Sequence, residues 1–352
     1  LDAADTEGFS AAANAVLDTD ADPAFLLVCH DDVALGTETV RQLVAESLRS
    51  NAGIAGPKLV DWDHPGWLQH VAYSVDRFAV AVDVVDPGEL DQEQFDAVGD
   101  VFALPSACLL IRTGLFRTLG GFDEEIGHRG EEVDFCWRAQ LLGARIMVVP
   151  NARVRHRDDL YGRTAVDNIR RTKARHQLRT VLITNSRLSL LLTLPLMMAL
   201  AAGEAAIALF SGRVSHVRDV ASAWAWNLRR LPEIRARRKD LHPLIRARHG
   251  DLRASQQAGS VRINSFVRGQ IGRRSGDSEL RSLMRTGTAR IAAIVAATVV
   301  LFVLFGSRTL ISDGVPAVGQ FLGFGDSGPD LVSEWWNGWR HRDLGSPGTP
   351  ST

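Results

Sequence analysis

The sequence has only three cysteines in 352 residues. Cys29, Cys108 and Cys136 are too few for a disulfide scaffold, and none has the Cys-x-x-Cys spacing of zinc or redox sites. Each sits among apolar residues, which suits buried free thiols in a reducing compartment. A charged leader followed by a short apolar core is also lacking, so no secretory signal is visible. The chain opens at Leu1 and closes on Gly-Ser-Pro-Gly-Thr-Pro-Ser-Thr, which reads as a fragment missing both ends. No internal repeat appears. With 45% apolar and 23% charged residues, a wholly disordered chain is excluded.

Positive charge is scarce at one end only. The formal net charge of −1 hides a gradient: residues 1–150 carry 9 Lys/Arg against 26 Asp/Glu, residues 151–212 carry 10 against 4, and residues 213–290 carry 18 against 6. An acidic head followed by a basic middle implies division of labour, often with a membrane or a polyanion at the basic part.

The first 156 residues alternate between strand and helix patterns. Phe25–His30 is a short apolar run ending in acids, and Ile54–Val60 and Val101–Ile111 read as further strands. Arg145–Val149 is a strand stopped by Pro150. Helical spacing marks Glu38–Arg49, Thr113–Leu119 closed by Gly120-Gly121, and Glu131–Leu142 closed by Gly143. This alternation predicts a mostly parallel α/β sheet with helices on both faces and its sites at strand C-termini. The Asp86–Gln92 stretch reads as a solvated Pro-Gly turn.

Three clusters could carry chemistry. Asp31-Asp32 at a strand end offers oxygen ligands for a hard divalent cation, although an acidic turn reads the same way. In Glu131-Glu132-Val-Asp134-Phe-Cys-Trp-Arg138, helical spacing aligns Glu131, Asp134 and Arg138 on one stripe. Acids in a first helical turn also simply favour the helix dipole. His156 is a lone histidine after a strand, most simply structural.

Taken together in order, Gly8-Phe9-Ser10…Asn14, strand-His30-Asp31-Asp32, Gly121-Phe122-Asp123, Glu131-Glu132…Arg138 and Pro150…His156 resemble the family-2 glycosyltransferases of GT-A (Rossmann-like) fold. The resemblance covers about Gly8 to His156. It implies a nucleotide-sugar donor and a divalent cation, Mg²⁺ or Mn²⁺, held by Asp32, Asp31 and His156. His30 stands where the family has the first acid of its Asp-x-Asp motif, and is grouped with Gly8 and Asn14 on the donor side. Glu132 matches the family's base, with Glu131 as its partner. Gly121, Phe122, Asp123, Asp134 and Arg138 are expected around the acceptor or pocket. The strands that hold the nucleotide base in this family precede the Gly-Phe-Ser segment, where only seven residues stand here. An inverting transfer needs one carboxylate to deprotonate the acceptor and a cation to neutralise the departing diphosphate.

Beyond a partial transferase domain over 1–160, residues 161–212 read as a basic linker and an apolar hairpin over Leu188–Phe210, broken near Pro195 and Gly203. Residues 213–290 read as a basic cytosolic segment facing anionic lipid rather than nucleic acid, 291–306 as a transmembrane helix, and 307–352 as an extracytoplasmic tail. The expectation is an inverting enzyme at the cytoplasmic face of a bacterial inner membrane, acting on a lipid-linked or cell-envelope glycan. The rivals are a polyprenyl-phosphate sugar synthase and a non-catalytic scaffold or transport subunit with a degenerate transferase domain.

Overall fold

The computed structural model describes residues 8–86, 88–158, 169–210, 214–248, 250, 252 and 256. All of them belong to a unit spanning Leu1–Gly276. The expected helix at 291–306 and the tail at 307–352 lie outside the described residues.

A mixed sheet forms the centre. Its strands are β1 (Phe25–Cys29), β2 (Val33–Leu35), β3 (Ile54–Asp61), β4 (Leu68–His70), β7 (Gly99–Asp100), β8 (Cys108–Arg112) and β9 (Ile146–His156). The spatial order is β1-β8-β3-β9-β2, with β4 on β3 and β7 on β9. A small hairpin, β5 (Tyr73–Val75) and β6 (Ala81–Asp83), stands apart.

The expectation of a mostly parallel sheet is corrected here. Among the described residues only β3 and β9 pair in parallel; β8 inserts between β1 and β3 and runs antiparallel to both. The strand–helix alternation did report that β1, β3 and β9 point the same way. It carried no information on the strand that fills the gap, because β8 enters from a loop rather than a crossover helix. The expected strand Val101–Ile111 is likewise shorter. Residues 101–107 are irregular around Pro105, which has no N–H to give a ladder; apart from an isolated bridge from Ala103 to Tyr73, the ladder runs only over Cys108–Arg112.

Helices cover both faces, as expected. On one, α2 (Thr39–Arg49) sets Leu43 against Ala55, Leu110 and Val149, and the Thr39 hydroxyl donates to Arg153 O at 2.8 Å. On the other, α3 (Thr113–Leu119) and α4 (Glu131–Leu141) pack Phe116 and Phe135 over Ile54, Leu109, Ile111 and Ile146. Phe122 completes a buried aromatic triangle with ring centroids 4.7–5.6 Å apart.

Strand β9 is not stopped by Pro150. Its register runs Pro57↔Val149 and then Lys58↔Arg153, so residues 150–152 form a bulge and the pairing resumes to Asp61↔His156. A bulge is where a strand tolerates proline. The acidic turn is not wholly solvated either: Asp91 accepts from Lys58 Nζ at 3.0 Å and from Arg153 Nη2 at 2.7 Å, and Lys58 is 1% exposed.

The C-terminal region is helical: α5 (Ile169–Thr184), α6 (Arg187–Phe210), α7 (Val214–Arg229) and α8 (Leu231–Leu241). The expected break in Leu188–Phe210 is absent. One helix runs through Pro195, its ladder interrupted by a single missing donor rather than ended. Among the described residues no helix is long and apolar enough to cross a membrane. The basic segment is partly folded onto the sheet domain, since Arg230 pairs with Glu125 at 2.5 Å and Arg237 donates to Phe122 O at 3.1 Å.

Phe135→Ala removes the centre of the aromatic triangle and is expected to cost about 3–5 kcal/mol in urea unfolding. A loss under about 1 kcal/mol would show that this face of the core does not depend on it.

Candidate functional site

A cleft of about 700 Å³ opens at the C-terminal end of β1. Strand β1 ends at Cys29, and His30 N donates to Ala107 O at 3.0 Å, one residue beyond the Cys29↔Cys108 pair. Asp31 and Asp32 form the turn into β2. There the register Val33↔His156 places Asp32 beside the last residue of β9.

The result is a three-residue cluster. His156 Nε2 lies 3.4 Å from Asp32 Oδ1, and His30 Nδ1 lies 3.9 Å from the same oxygen. One ligand atom from each of the three falls within 4.8 Å of the others. Metal–ligand bonds of about 2.0–2.2 Å put neighbouring donor atoms about 3.0–3.5 Å apart, so these residues fit a divalent cation with small side-chain movements. Behind the cluster, His156 Nδ1 meets Gln69 Oε1 at 2.7 Å and His30 Nε2 meets Ser106 Oγ at 3.3 Å. Burial, and then His156, lower the His30 pKa and keep that ring neutral. His30 thus stands in one cluster with Asp32 and His156. Exposed Asp31 lines the cleft but is outside the cluster.

The carboxyl pair occupies a second wall. Gly130, at φ 109, turns the chain so that α4 starts with Glu131 and Glu132 facing the cleft. Glu131 is buried and accepts from Ser106 Oγ at 2.8 Å, while Glu132 Oε2 accepts from Gly130 N at 3.0 Å. Burial, then the charge of Glu132, push the Glu131 carboxyl well above its ordinary value. Burial raises Glu132 as well, against the backbone N–H groups that favour its charge. The two carboxyls titrate as a pair, and burial with the neighbouring charge pushes Glu131 well above its ordinary value while backbone N–H groups and Lys173 oppose the rise at Glu132.

The remaining wall was not foreseen. His70 Nδ1 meets Asp83 Oδ2 across the cleft rim, and Tyr73 stands edge-on to His70 at 5.9 Å. Burial, and then Glu132, hold the Tyr73 phenol well above its usual range. Burial pushes His176 down to about 4, and its Nδ1 meets Arg129 O at 2.8 Å. Ser106, Gln69 and these groups carry no spacing signal. They reach the cleft through the irregular 101–107 loop, short strands and α5.

Gly8 lines the cleft, whereas the other flanking candidates lie away from its lining. Asn14 is buried and clamps a loop instead of facing donor: its Nδ2 donates to Phe122 O at 3.0 Å and its Oδ1 accepts from Phe122 N at 2.8 Å. A Cβ on Gly121 would stand 2.1 Å from that Oδ1. Gly121, Phe122, Asp123, Asp134 and Arg138 lie beneath the cleft rather than around a substrate. Arg138 pairs with Asp134 at 2.7 Å and donates to Leu119 O and Gly121 O, each at 3.1 Å, and Asp123 is gripped by Arg179 at 2.7 and 3.1 Å. Buried charges need such partners, and these side chains spend their polar atoms on each other.

The sequence model of the family described as Glycosyl transferase family group 2 matches residues 25–228, more than half of the chain. Among curated proteins, the pre-mycofactocin glycosyltransferase of Mycobacterium tuberculosis, in strains CDC 1551 / Oshkosh and ATCC 25618 / H37Rv, is 47% identical over 53 residues. That stretch is 15% of this chain, and it spans only 11% of the relative's length. Among solved structures, the crystal structure of GalNAc-T7 with UDP, GalNAc and Mn²⁺ aligns at a TM-score of 0.35 and 15% identity, over 46% of this chain and 31% of that one.

A carboxyl whose folded pKa is raised subtracts stability once the pH passes its unfolded value, and the penalty grows until the folded pKa is reached. For Glu131 that window opens at about 4.5. Glu131→Gln keeps an oxygen for Ser106, so it is expected to raise Tm at pH 8 by about 2–4 °C for each kcal/mol relieved. The gap should close as the pH falls below about 4.5. A lower Tm at pH 8 would mean that the carboxyl is not strained by its burial.

Proposed function

This chain belongs to Glycosyl transferase family group 2, and we propose that it is a metal-dependent, inverting glycosyltransferase with a GT-A fold. In this reading it moves a sugar from a nucleotide-sugar donor to a lipid-linked or cell-envelope glycan. The observation that carries the reading is the arrangement of one cleft: a His-Asp-His cluster on one wall and a carboxyl pair on the next, bridged by Ser106.

Glu132 is the base. Its raised pKa brings it closer to the operating pH than a free carboxylate, which strengthens it as a proton acceptor for a sugar hydroxyl. Glu131, whose burial disfavours its charged form, gives Glu132 a neighbour that competes less for charge. His30, Asp32 and His156 are the residues to hold Mg²⁺ or Mn²⁺. When bound, such a cation supplies charge neutralisation for a departing diphosphate. His70 and Asp83 offer polar atoms for an acceptor's hydroxyls at the rim.

A membrane surface is part of the same proposal, with the cleft on the cytoplasmic side of a bacterial inner membrane. Its support is helix α6, where Leu188, Leu191 and Leu192 are 75%, 71% and 75% exposed on one stripe beside Arg187. Apolar side chains flanked by cations favour an anionic lipid interface. Nucleic acid is not part of this reading.

Three measurements test it. Glu132→Gln in the full-length protein is expected to lower turnover by about 10²-fold or more with donor affinity little changed. Near-normal turnover would remove Glu132 as the base. Assays with a free saccharide and with a polyprenyl phosphate distinguish a glycan acceptor from a lipid phosphate. The double change Leu191→Gln, Leu192→Gln is expected to cut co-sedimentation with anionic vesicles several-fold at unchanged Tm. Undiminished pelleting would sink the lipid-facing role of α6.

A further inference from the structure

We propose that Cys29 and Cys108 form a reversible thiol-oxidation site beside the cleft, where a peroxide converts the two thiols to a cross-strand disulfide and thereby slows the enzyme. The disulfide stands on geometry alone, and its effect on turnover rests on the transferase reading above.

The two residues are direct opposites in the register of β1 and β8, and their Sγ atoms lie 3.5 Å apart although 79 positions separate them in the chain. One step further along, His30 N donates to its own opposite, Ala107 O, at 3.0 Å. Hydrogen-bonded and non-hydrogen-bonded pairs alternate along an antiparallel ladder, so Cys29↔Cys108 is of the second kind. Such a pair holds its Cα atoms about 4.5 Å apart with both side chains on one face, inside the roughly 4.4–6.8 Å that a disulfide spans. The sulfurs need only close to about 2.0 Å.

Access is one-sided. Cys29 is half-buried and lines the cleft, whereas Cys108 is 1% exposed among Leu59, Ala107 and Val154. A small oxidant therefore reaches Cys29 through the cleft and finds Cys108 already in contact behind it. The third cysteine, Cys136, is 0% exposed in the main core and offers no such entry.

The chemistry balances with hydrogen peroxide as the oxidant. The Cys29 thiolate attacks one peroxide oxygen and the O–O bond breaks. Cys29 becomes a sulfenic acid, and the departing hydroxide takes up a proton to give water. The Cys108 sulfur then attacks the sulfenic sulfur; the S–O bond breaks, the S–S bond forms, and the Cys108 proton leaves with the hydroxyl as a second water. Two thiols thus lose two electrons and one peroxide becomes two waters. A thiol in contact traps the sulfenic acid before further oxidation, and a dithiol reverses the bond by exchange. In a reducing compartment a bond of this kind is transient and reports oxidant.

Its consequence for the cleft follows from the neighbours. The bond ties the last residue of β1 to the first of β8, and His30 and Ser106 stand one and two residues beyond them. His30 Nε2 lies 3.3 Å from Ser106 Oγ, which also donates to Glu131. Drawing these strand ends together moves both walls of the cleft, and a misplacement of about 1 Å can cost about 100-fold in rate.

The test uses the full chain, reduced, exposed to hydrogen peroxide, alkylated and mapped by mass spectrometry, with turnover followed in the assay used for Glu132→Gln. A linked Cys29–Cys108 peptide within one chain is expected, with Cys136 still free. Turnover should fall about 10- to 100-fold, and dithiothreitol should restore both the thiols and the rate. In Cys108→Ser the link disappears and Cys29 runs on to sulfinic acid, so dithiothreitol no longer restores the rate. Should that variant not fold, the wild-type peptide map decides alone. Sulfinic acid at Cys29, a link between chains or a link through Cys136 in place of the expected peptide overturns the site. A complete link with unchanged turnover overturns its effect on the cleft. A reduced chain without turnover tells against the transferase reading, while the peptide map, read without activity, still decides the disulfide.

Discussion

The site depends on the register of β9. Side chains alternate along a strand, so a slip of one residue moves each of them to the opposite face. At the end of β9 buried Val154 and His156 alternate with exposed Arg153 and Arg155. A one-residue slip would set Arg155 beside Asp32, replacing a lone-pair donor with a fixed cation. The register is held from two sides: β3 runs parallel from Ile54↔Ile146 to Asp61↔His156, and β2 pairs antiparallel at Val33↔His156. The bulge at 150–152 is the adjustable part. It shifts β9 against β3 after Pro57, so that the strand's apolar half stays in the core while its end meets Asp32.

A second constraint separates chemistry from support within one acidic stretch. Residues 121–138 hold Asp123, Glu131, Glu132, Asp134 and Arg138 close in sequence, yet only the two glutamates face the cleft. The others are consumed by buried pairing, Asp134 with Arg138 and Asp123 with Arg179, beneath the aromatic triangle. The pairing also explains why α5 and α8 belong to the folded domain. Arg179 and Arg237 approach Asp123 from those helices, and burial, which opposes ionisation, is outweighed by Arg179 so that the Asp123 carboxyl stays below its usual range. A depressed acid contributes stability above its unfolded pKa and loses it as the pH falls through the folded one. Attachment of the basic helices is therefore weakest in acid.

Much of this was legible in sequence, and the limits have physical causes. The core strands β1 and β3 and helices α2, α3 and α4 announce themselves through periodicity and through glycine stops such as Gly120, which closes α3 in the left-handed region at φ 65. The strand-end acid Asp32 and the pair Glu131-Glu132 stood out because charged groups at such positions are rarely idle. Ser106, Gln69 and His70 did not. They are ordinary polar residues whose meaning comes only from what the fold brings beside them, across 25 residues from Ser106 to Glu131 and 87 from Gln69 to His156. Antiparallel β8 was hidden for a related reason, since a five-residue apolar strand reads alike in either direction. The Gly121–Asp123 and Asp134–Arg138 groups misled in the opposite sense: polar side chains in a motif were taken for substrate contacts when they serve to neutralise each other.

The choice of glutamate at 132 follows from these constraints together. Gly130 must adopt φ 109 to start α4 at the cleft, and its N–H then points at the Glu132 side chain, where a longer arm can fold back and accept it at 3.0 Å. That contact and the helix N-terminus favour the charged form, while burial opposes it. The neighbour decides the balance. Two ionised carboxyls would repel at close range in a poorly hydrated wall, and burial with the charge of Glu132 pushes Glu131 well above its ordinary value. The charge of Lys173, which also lines the cleft, favours the ionised form of Glu132, and burial holds the His30 ring below its usual range on the other side of Ser106. Ser106 Oγ lies within hydrogen-bond distance of both His30 and Glu131, and its donated hydrogen bond partly offsets the burial that pushes Glu131 up.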